Sequence, residues 1–415
     1  MSDRTFDFLR EQNLAAVLAS LNGAGEETRV VGGAVRSALL GLQPADIDLA
    51  TTALPEIVAA RAQAAGWRVV PTGIAHGTLT LVVAGTAFEV TTLREDIETD
   101  GRHAKVRFGR DFVADALRRD FTINALSLTA DGRLFDYVGG ARDIAARRVR
   151  FIGDAARRIA EDYLRSLRFF RFHGCYGAGA LDAEGLAAVI SARHGLAGLS
   201  RERVRSEMLK LLASQGAAEM ARIMSDAGLL GLLLHGATAP ARLARLMHAE
   251  AERKSRPDAV LRLAALAVWT REDAQRLSGR LRLANHEHDR LAAAAGIAAA
   301  LRGKPLPPDG QGLRALLFAQ DREAASDGLA LAQIDDAAMW CNPLWTAAFA
   351  DLARLSRPKL PFSGTDLQNR GISGGPLMGQ MLKTLQAQWI RAGFPKDPMA
   401  LARLLDAVVA ASHRP

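Results

Sequence analysis

Two stretches near the amino terminus decide the fold of this chain: Arg29-Val-Val-Gly-Gly-Ala-Val-Arg36 and, ten residues later, Asp46-Ile-Asp48. The first reads as a strand that passes through two glycines into a helix. Adjacent glycines let the backbone approach a ligand closely, and the free N–H groups at the start of a helix attract anions. Gly32, Gly33 and Arg36 are therefore predicted to bind phosphate, although a Gly-Gly turn alone is a common feature.

The second stretch supplies paired carboxylates. If it is extended, Asp46 and Asp48 point to the same face, about 7 Å apart, where they repel each other. A bound divalent cation would relieve that repulsion, and oxygen ligands suit Mg²⁺. The alternative is an acidic loop before a strand, because Pro44 precedes it. Glu89 alternates correctly within a later strand to be a third carboxylate, and its alternative is a surface charge on an edge strand.

The predicted secondary structure of the chain changes at about residue 150. Short β-rich runs are predicted before it, at Thr28–Val31, Ile47–Ala50, Trp67–Val70, Thr78–Val83, Phe88–Leu93 and Leu134–Val138. From Ala155 onward, Ala, Leu and Arg recur at helical spacing almost to the end. The predicted fold class is α+β, with a mixed-sheet head at 1–150 followed by an all-helical neck at 151–225, body at 226–330 and tail at 331–415.

Composition indicates an intracellular protein with a polyanionic partner. The chain has 415 residues and a formal net charge of +8, which favours nucleic acid, nucleotide or an anionic membrane. Two cysteines, Cys175 and Cys341, are too few for a disulfide framework or a Cys-rich zinc site. The amino terminus reads as an amphipathic helix and not as a signal peptide, and no apolar run is long enough to span a membrane. A cytoplasmic location is predicted.

Further segments carry a resemblance to a known family. They are Arg118-Arg-Asp-Phe-Thr-Ile-Asn-Ala125, Asp136-Tyr-Val-Gly-Gly-Ala-Arg-Asp143, Glu161-Asp-Tyr-Leu-Arg-Ser-Leu-Arg-Phe169 and Gly198-Leu-Ser-Arg-Glu-Arg-Val-Arg205. With the Gly-Gly and Asp-x-Asp stretches, they resemble the nucleotidyltransferase superfamily that includes DNA polymerase β. In order and type they are similar to its class II tRNA branch, the CCA-adding enzymes and bacterial poly(A) polymerases. The resemblance implies a polymerase β-like head and a helical arm.

The resemblance also implies a reaction and its groups. A 3′-hydroxyl of RNA attacks the α-phosphate of CTP or ATP, and two Mg²⁺ ions held by Asp46 and Asp48 stabilise the charge that develops. Arg119 is expected to contact the triphosphate. Asp120 is expected to accept a hydrogen bond from the ribose 2′-hydroxyl, which favours NTP over dNTP.

One predicted helix, starting at Ala155, carries four charged residues on one face at a spacing of three: Asp162, Arg165, Arg168 and Arg171. The resemblance assigns Asp162 and Arg165 to the base edge of CTP or ATP, so that protein replaces a template. It assigns Arg168 to the triphosphate and Arg171 to holding the helix. The alternative is a chain of ion pairs along the helix, but residues 142–173 carry nine arginines against four acids, which favours a polyanion.

The resemblance implies addition of C, C and A to the 3′ end of tRNA, with a crescent of helical domains cradling its acceptor and T-arm half and no stable protein partner. A poly(A) polymerase, an A-only or CC-only enzyme, and a non-catalytic tRNA-binding protein stay open. The loop 95–105 resembles the loop that switches complete enzymes from C to A, which argues against a CC-only enzyme. The tail stretch 371–379 could present a helix start to RNA phosphate, or be a plain cap.

Overall fold

The computed structural model of the chain describes residues 6–74, 77–99, 104–304, 307–336 and 338–412. Contacts divide the chain into two compact units, 1–233 and 234–415. The finer division into head, neck, body and tail stays a prediction.

A mixed sheet forms the first part of unit one. Its strands in the described residues are β1 Thr28–Val31, β2 Asp48–Thr51, β3 Arg68–Gly73, β4 Thr78–Val83, β5 Thr86–Thr92, β8 Ser127–Leu128 and β9 Leu134–Phe135, while β6 Arg94–Thr99 and β7 Ala104–Phe108 form a separate ribbon. The sheet order is β3-β4-β5-β2-β1-β8-β9. β2 pairs with β5 in parallel and with β1 antiparallel. The α+β class and the mixed-sheet head are confirmed.

Short helices surround the sheet and then dominate unit one. They are α1 Gln12–Leu21, α2 Gly33–Leu39, α3 Pro55–Ala64, α4 Phe112–Leu117, α5 Gly140–Ala145, α6 Ala155–Glu161, α7 Leu164–Tyr176, α8 Ala183–Ser191, α9 Arg201–Leu212 and α10 Ala217–Asp226, followed by α11 Leu229–Leu234 at the boundary. Turns of 3₁₀ helix lie at Asp7–Arg10, Thr122–Asn124 and Arg193–Gly198.

The prediction of one continuous helix from Ala155 is wrong. α6 ends at Glu161, and Asp162 has an extended backbone with φ −157° and ψ 105°. Its carboxylate accepts a hydrogen bond from the Leu164 N–H at 3.1 Å, at the start of α7. Aspartate competes with the helix backbone by making this kind of local bond, so it divides a sequence whose charge spacing is otherwise helical.

An aromatic cluster joins the head to α7. Phe121 packs against Phe151 and Phe172, with ring centroids 4.8 and 5.3 Å apart, and Phe151 packs against Phe169 at 5.4 Å. Phe121 and Phe169 are fully buried. Burial of rings this large stabilises a fold by about 1.5–3 kcal/mol each, so this cluster fixes where Asp120, the neighbour of Phe121, meets α7.

Unit two contains helices and no strand in its described residues. Its helices are α12 Pro240–Glu252, α13 Ala259–Ala267, α14 Arg271–Leu281, α15 Asn285–Leu301, α16 Gly310–Ala319, α17 Arg322–Asp335, α18 Leu344–Arg354, α19 Gly364–Gln368, α20 Pro376–Arg391 and α21 Pro398–Ser412. Trp389 lies in a core cluster, where its ring centroid is 4.9 Å from that of Phe394 and 5.6 Å from that of Phe318. Within the described ranges, none of the helices combines the length and hydropathy needed to cross a bilayer.

Candidate active site

The Gly-Gly turn links the end of β1, an interior strand of the sheet, to α2. Gly32 has φ +67° and ψ −115°, a conformation that L side chains rarely adopt. A Cβ there would lie 2.9 Å from Nη1 of Arg119. The turn therefore needs glycine for two reasons, its backbone conformation and the close approach of Arg119, and α2 starts directly after it at Gly33.

Strand register brings two carboxylates together beside this turn. Asp48 begins β2, where its cross-strand partners are Val31 in β1 and Glu89 in the parallel strand β5. Parallel neighbours in register point to the same face of a sheet. Asp46 lies in a bend two residues before Asp48, so the aspartates do not share a regular strand, and all three acidic residues are exposed.

The electrostatics of these carboxylates show mutual repulsion. Crowding by protein atoms raises the pKa of Asp48 above its ordinary value; nearby Arg119 lowers this pKa, and Asp46 raises it. The pKa of Glu89 is also raised, first by desolvation and then by the charge of Asp48. The carboxyl groups of Asp48 and Glu89 are thus harder to ionise than in water, and a nearby cation would reverse that effect.

The donor set fits a magnesium ion chemically, since Asp46, Asp48 and Glu89 offer only hard oxygen ligands. Among the residues the structure describes, no three acidic, histidine or cysteine side chains already lie close enough to hold a metal. The carboxylates would therefore have to rotate toward an ion, and their role as ligands stays a prediction.

Arg119 is held beside the turn by a defined set of partners. It donates to the carboxylate of Asp115 from Nε at 3.1 Å and from Nη2 at 3.0 Å, and from Nη1 to the backbone oxygen of Asn124 at 3.0 Å. Burial raises the pKa of Asp115, but Arg119 and Arg118 outweigh this effect, so the pKa lies below its ordinary value. Asp115 thus stays ionised and orients Arg119, a role that the sequence did not reveal.

Arg36 occupies a different environment from the one predicted. It is buried in α2 and donates to the side-chain oxygen of Asn124 and, at 3.1 Å, to the hydroxyl of Tyr176. Its guanidinium also lies 4.2 Å from the centre of the Tyr176 ring. The structure places Arg36 between the head and α7, and its direct contact with phosphate stays a prediction.

Asp120 and two arginines of α7 form a network closed by Glu207 of α9. Arg168 donates from Nε to Asp120 at 2.6 Å, and Arg171 donates from Nε to Glu207 at 2.6 Å. Arg168 also lies 4.0 Å from Glu207. This network brings together three predicted site residues, Asp120, Arg168 and Arg171. It adds Glu207, which the sequence analysis did not single out.

Both carboxylate oxygens of Asp120 accept hydrogen bonds in this arrangement. Its carboxylate accepts hydrogen bonds from Arg168, from the side chain of Asn124 at 3.1 Å and from the Phe121 N–H at 2.9 Å. Burial raises the pKa of Asp120, but Arg168 and these bonds outweigh burial and lower it. The structure therefore gives Asp120 the task of holding Arg168, and its contact with a ribose stays a prediction.

Asp162 and Arg165 lie near each other in sequence but have separate partners. The Asp162 carboxylate accepts from Nη2 of Arg203 at 2.6 Å. Arg165 donates from Nη1 to Glu161 at 2.6 Å and to the backbone oxygen of Arg158 at 2.7 Å. Reading a base edge would require the Asp162 carboxylate to share or exchange Arg203, so that role also stays a prediction.

Arg158 is a positioning residue that the sequence did not reveal. It is buried in α6, and its Nη2 donates to the backbone oxygens of both Arg118 and Arg119 while Nη1 donates to Glu161. One guanidinium thus connects the turn that carries Arg119 to the helix end just before Asp162. A paired-carbonyl contact of this kind is invisible in a sequence, because the acceptors are backbone atoms.

The glycine-containing segment after β9 has a structural role. Asp136 accepts hydrogen bonds from four successive backbone N–H groups, those of residues 138 to 141, at 2.8 to 3.2 Å. Buried Asp143 accepts from the hydroxyl of Thr122 at 2.7 Å and from Arg148 and Arg150. These bonds fix the start of α5 against the segment that contains Asp120.

Two histidines considered from the sequence, His76 as part of a turn and His103 as a loop contact, lie outside the described residues. The predicted loop 95–105 overlaps the strands β6 and β7, whose backbones pair antiparallel from Arg94 with Phe108 to Thr99 with Ala104, and its residues 100–103 lie outside the described residues.

Comparison with known proteins gives consistent matches. A family model described as the poly A polymerase head domain matches residues 28–150, and one described as a probable RNA and SrmB-binding site of polymerase A matches residues 180–239. The mitochondrial CCA tRNA nucleotidyltransferase 1 of Mus musculus is 34% identical over 398 residues, which cover 94% of this chain and 88% of the relative. The CCA-adding enzyme of Geobacillus thermodenitrificans is 40% identical over 221 residues, 52% of this chain and 53% of the relative.

Solved structures agree in fold. The crystal structure of the Bacillus stearothermophilus CCA-adding enzyme in complex with CTP matches with a TM-score of 0.73 at 27% identity, covering 97% of this chain and 98% of that one. The Thermotoga maritima CCA-adding enzyme complexed with tRNA matches with a TM-score of 0.71 at 18% identity, covering 100% of this chain and 97% of that one. At that identity the second match shows the fold alone.

Proposed function

The chain belongs to the CCA tRNA nucleotidyltransferase family, and from this premise we propose that it adds C, C and A to the 3′ end of tRNA from CTP and ATP without a template. The observation that carries the proposal is the register that sets Asp48 opposite Glu89, with Asp46 and the Gly32 turn beside them. One fold can host many functions, but carboxylates beside a glycine turn that leads into a helix suit nucleotidyl transfer.

In each addition, the RNA 3′-oxygen forms a bond to the α-phosphorus, and the bond from that phosphorus to the bridging oxygen of the β-phosphate breaks. The leaving group is pyrophosphate. Magnesium ions, when bound by Asp46, Asp48 and Glu89, would supply Lewis-acid stabilisation of the developing negative charge. Arg119, oriented by Asp115, supplies a fixed positive charge beside the Gly32 turn. This placement suits the triphosphate, whose charge a guanidinium binds in bidentate fashion.

In this proposal Asp162 and Arg165 select the base, Arg168 contacts the triphosphate and Arg171 holds the helix. An acid and an arginine present both hydrogen-bond polarities to a base edge, as a template would. Asp120 and Glu207 hold Arg168 and Arg171 on the same face of α7. This support suits a site whose side chains stay rigid while the RNA end grows.

The test is extension of a tRNA transcript that lacks its terminal CCA, with purified protein, Mg²⁺ and CTP alone, ATP alone, or both. We expect two added residues with CTP, and a stop after three residues with both nucleotides. A long ladder with ATP alone would identify a poly(A) polymerase instead. Binding of tRNA without extension would identify a non-catalytic RNA-binding protein.

The metal and the compartment need separate tests. We propose Mg²⁺ as the metal, so chelation with EDTA should stop extension and added Mg²⁺ should restore it. We also propose cytoplasmic placement, although the mouse and human relatives are named mitochondrial. Microscopy of the full chain fused at its carboxyl terminus to a fluorescent protein distinguishes these compartments.

A further inference from the structure

Arg36 in α2 is a buried cation whose side-chain hydrogen-bond partners are both neutral. It is 7% exposed, and it donates to the side-chain oxygen of Asn124 and to the hydroxyl of Tyr176. In the part of the chain that the structure describes, no carboxylate forms an ion pair with it. A buried charge without an ionised partner lowers the stability of a fold. Such conflicts between charge and stability concentrate at functional sites.

The guanidinium of Arg36 lies beside the second glycine of the turn between β1 and α2. A Cβ atom on Gly33 would lie 3.6 Å from Nη2 of Arg36. The first glycine, Gly32, has Arg119 beside it in the same way. Arg119 pairs with Asp115 at 3.0 Å, whereas Arg36 has only neutral partners among the described residues. The charge of Arg36 can therefore act in full on a phosphate group at this turn.

Tyr176, the last residue of α7, holds this guanidinium through two contacts. Its hydroxyl accepts a hydrogen bond from Nη2 of Arg36 at 3.1 Å, and the centre of its ring lies 4.2 Å from the guanidinium carbon. The ring stacks on Phe172, one turn earlier in α7, with centroids 6.0 Å apart and an angle of 28° between the planes. A phenol attracts a guanidinium but carries no net charge at neutral pH. Tyr176 therefore fixes Arg36 without cancelling its charge.

The electrostatics of Arg36 show why it needs to be held. Burial lowers the pKa of Arg36 below its ordinary value, and Tyr176 opposes this effect. Nearby Arg171 lowers the pKa further, because like charges repel. This repulsion favours displacement of Arg36, and the bonds to Asn124 and Tyr176 oppose it. Asn124 also donates to Asp120, so Tyr176 is the partner that can be changed without disturbing another predicted site residue.

We propose that Tyr176 is a positioning residue of the nucleotidyl transfer: it keeps the charge of Arg36 beside Gly32 and Gly33, where that charge attracts the triphosphate. The inference rests on the proposed function for the identity of the ligand. Tyr176 acts through Arg36 and not by touching the nucleotide. Because the charge acts on phosphate and not on the base, loss of Tyr176 weakens the binding of CTP, ATP and inorganic tripolyphosphate to the same extent.

The test uses two substitutions in the full-length protein. Tyr176→Phe keeps the ring and removes the hydroxyl, and Tyr176→Leu removes both contacts with Arg36. We expect KM for CTP and ATP to rise about threefold in the first variant and about tenfold in the second. Calorimetry with inorganic tripolyphosphate and Mg²⁺ should show Kd rising by the same factors. The affinity for tRNA and the misincorporation of UTP and GTP should equal those of the parent protein.

Tyr137→Phe is the matched control. The hydroxyl of Tyr137 also accepts a hydrogen bond from a buried arginine of the head, from Nη1 of Arg29 at 3.0 Å. Arg29 has an acidic partner, however, because its Nε donates to Glu27 at 2.7 Å. We therefore expect the KM and Kd values of the parent protein. Thermal unfolding verifies that each variant folds, and Tyr176→Phe decides the question if Tyr176→Leu does not fold.

A Kd for tripolyphosphate equal to that of the parent in both Tyr176 variants would overturn the proposal, as would an equal loss in Tyr137→Phe or absence of tripolyphosphate binding by the parent. Unequal changes for CTP and ATP would also overturn it, because they would place the effect at the base. The parent protein is assayed for CCA addition in parallel. Failure of that assay contradicts the proposed function, whereas tripolyphosphate binding judges the role of Tyr176 without any addition step.

Discussion

Asp48 is the residue at which fold stability and chemistry conflict most directly. Its pKa is raised by crowding and by Asp46, and it raises the pKa of Glu89 in turn. An acid whose folded pKa exceeds its unfolded pKa binds more protons when folded, so its contribution to stability falls as the pH rises through the ordinary range of aspartate, near 4. At neutral pH, ionised Asp48 therefore lowers the stability of the metal-free protein, although the proposed reaction needs its charge.

Asp48→Asn is expected to lower the rate of nucleotide addition by at least about a hundredfold, the scale of losing one charge-stabilising group. The same substitution should raise Tm at neutral pH by about 1–2 °C, because repulsion is removed. This gain should shrink as the pH falls toward 4. Thermal scans without metal and extension assays measure the two effects, with exposed Glu11→Gln as the control. A lower Tm for Asp48→Asn would contradict the electrostatic account.

Glu207→Gln tests the network that supports Arg168 and Arg171. The amide keeps the shape of Glu207 but not its charge, so both arginines lose an ionised partner. We expect KM for CTP and ATP to rise about three- to tenfold, about 1 kcal/mol, with KM for tRNA unchanged. Glu219→Gln, at an exposed position of α10, is the control. An unchanged KM for both nucleotides would show that Glu207 does not position these arginines.

Residue roles could be predicted where a short stretch contains both partners. The Gly32 turn and the extended run around Glu89 are local patterns, so the sequence indicated them. Glu207 and Arg158 could not be found that way. Glu207 meets Arg171 across two helices, and Arg158 binds backbone oxygens, so neither pairing leaves a sequence pattern.

At the scale of elements, α6 contacts the segment before Phe121 through the guanidinium of Arg158. Arg158→Met is expected to lower kcat/KM for both nucleotides about tenfold or more, because the Arg118 and Arg119 carbonyls lose their shared donor. Arg157→Met is the control, since its side chain is 83% exposed. Steady-state kinetics of extension measure the effect. Equal losses in the two variants would contradict a specific role for Arg158.

A second prediction at this scale concerns Asp162, which lies at the break between α6 and α7. Asp162→Ala removes the acceptor for the Leu164 N–H and should destabilise the protein by about 1 kcal/mol. Asp162→Asn keeps an oxygen acceptor and should preserve stability. Both variants should lose preference for CTP and ATP over UTP and GTP. Denaturant unfolding and misincorporation assays measure the two properties, and equal stability of the variants would contradict a stabilising role for the hydrogen bond from Leu164 to Asp162.

Helices and strands were predicted accurately where the pattern of apolar and polar residues was regular. The runs at Thr28–Val31 and Thr78–Val83 match β1 and β4 to the residue. The two-residue strand β8 has too few positions to show a period, and it is a strand because it pairs with β1. The break between α6 and α7 was missed because the charge spacing continues across it, although the backbone at Asp162 is extended and its carboxylate accepts from the Leu164 N–H.

For the whole molecule, the net charge of +8 predicts tRNA binding that weakens steeply with salt. Each phosphate contact contributes a slope of about −0.7 to −0.9 in log affinity against log salt. Between about 50 and 200 mM salt, we expect the slope of log tRNA affinity against log salt to be about −3 or steeper. The KM for CTP should depend on salt much less. Fluorescence anisotropy with labelled tRNA provides the first value, and a slope near zero would contradict binding through the RNA backbone.

The parallel pairing of β2 with β5 has a consequence for how the protein matures. About forty residues separate Asp48 from Glu89, so a nascent chain that has not yet released β5 lacks this pair of carboxylates. A slip of one residue would turn Glu89 to the other face of the sheet. Only a chain with the correct register therefore carries both carboxylates on one face of the sheet. This face is complete only after β5 has left the ribosome, so it forms late in the synthesis of the sheet.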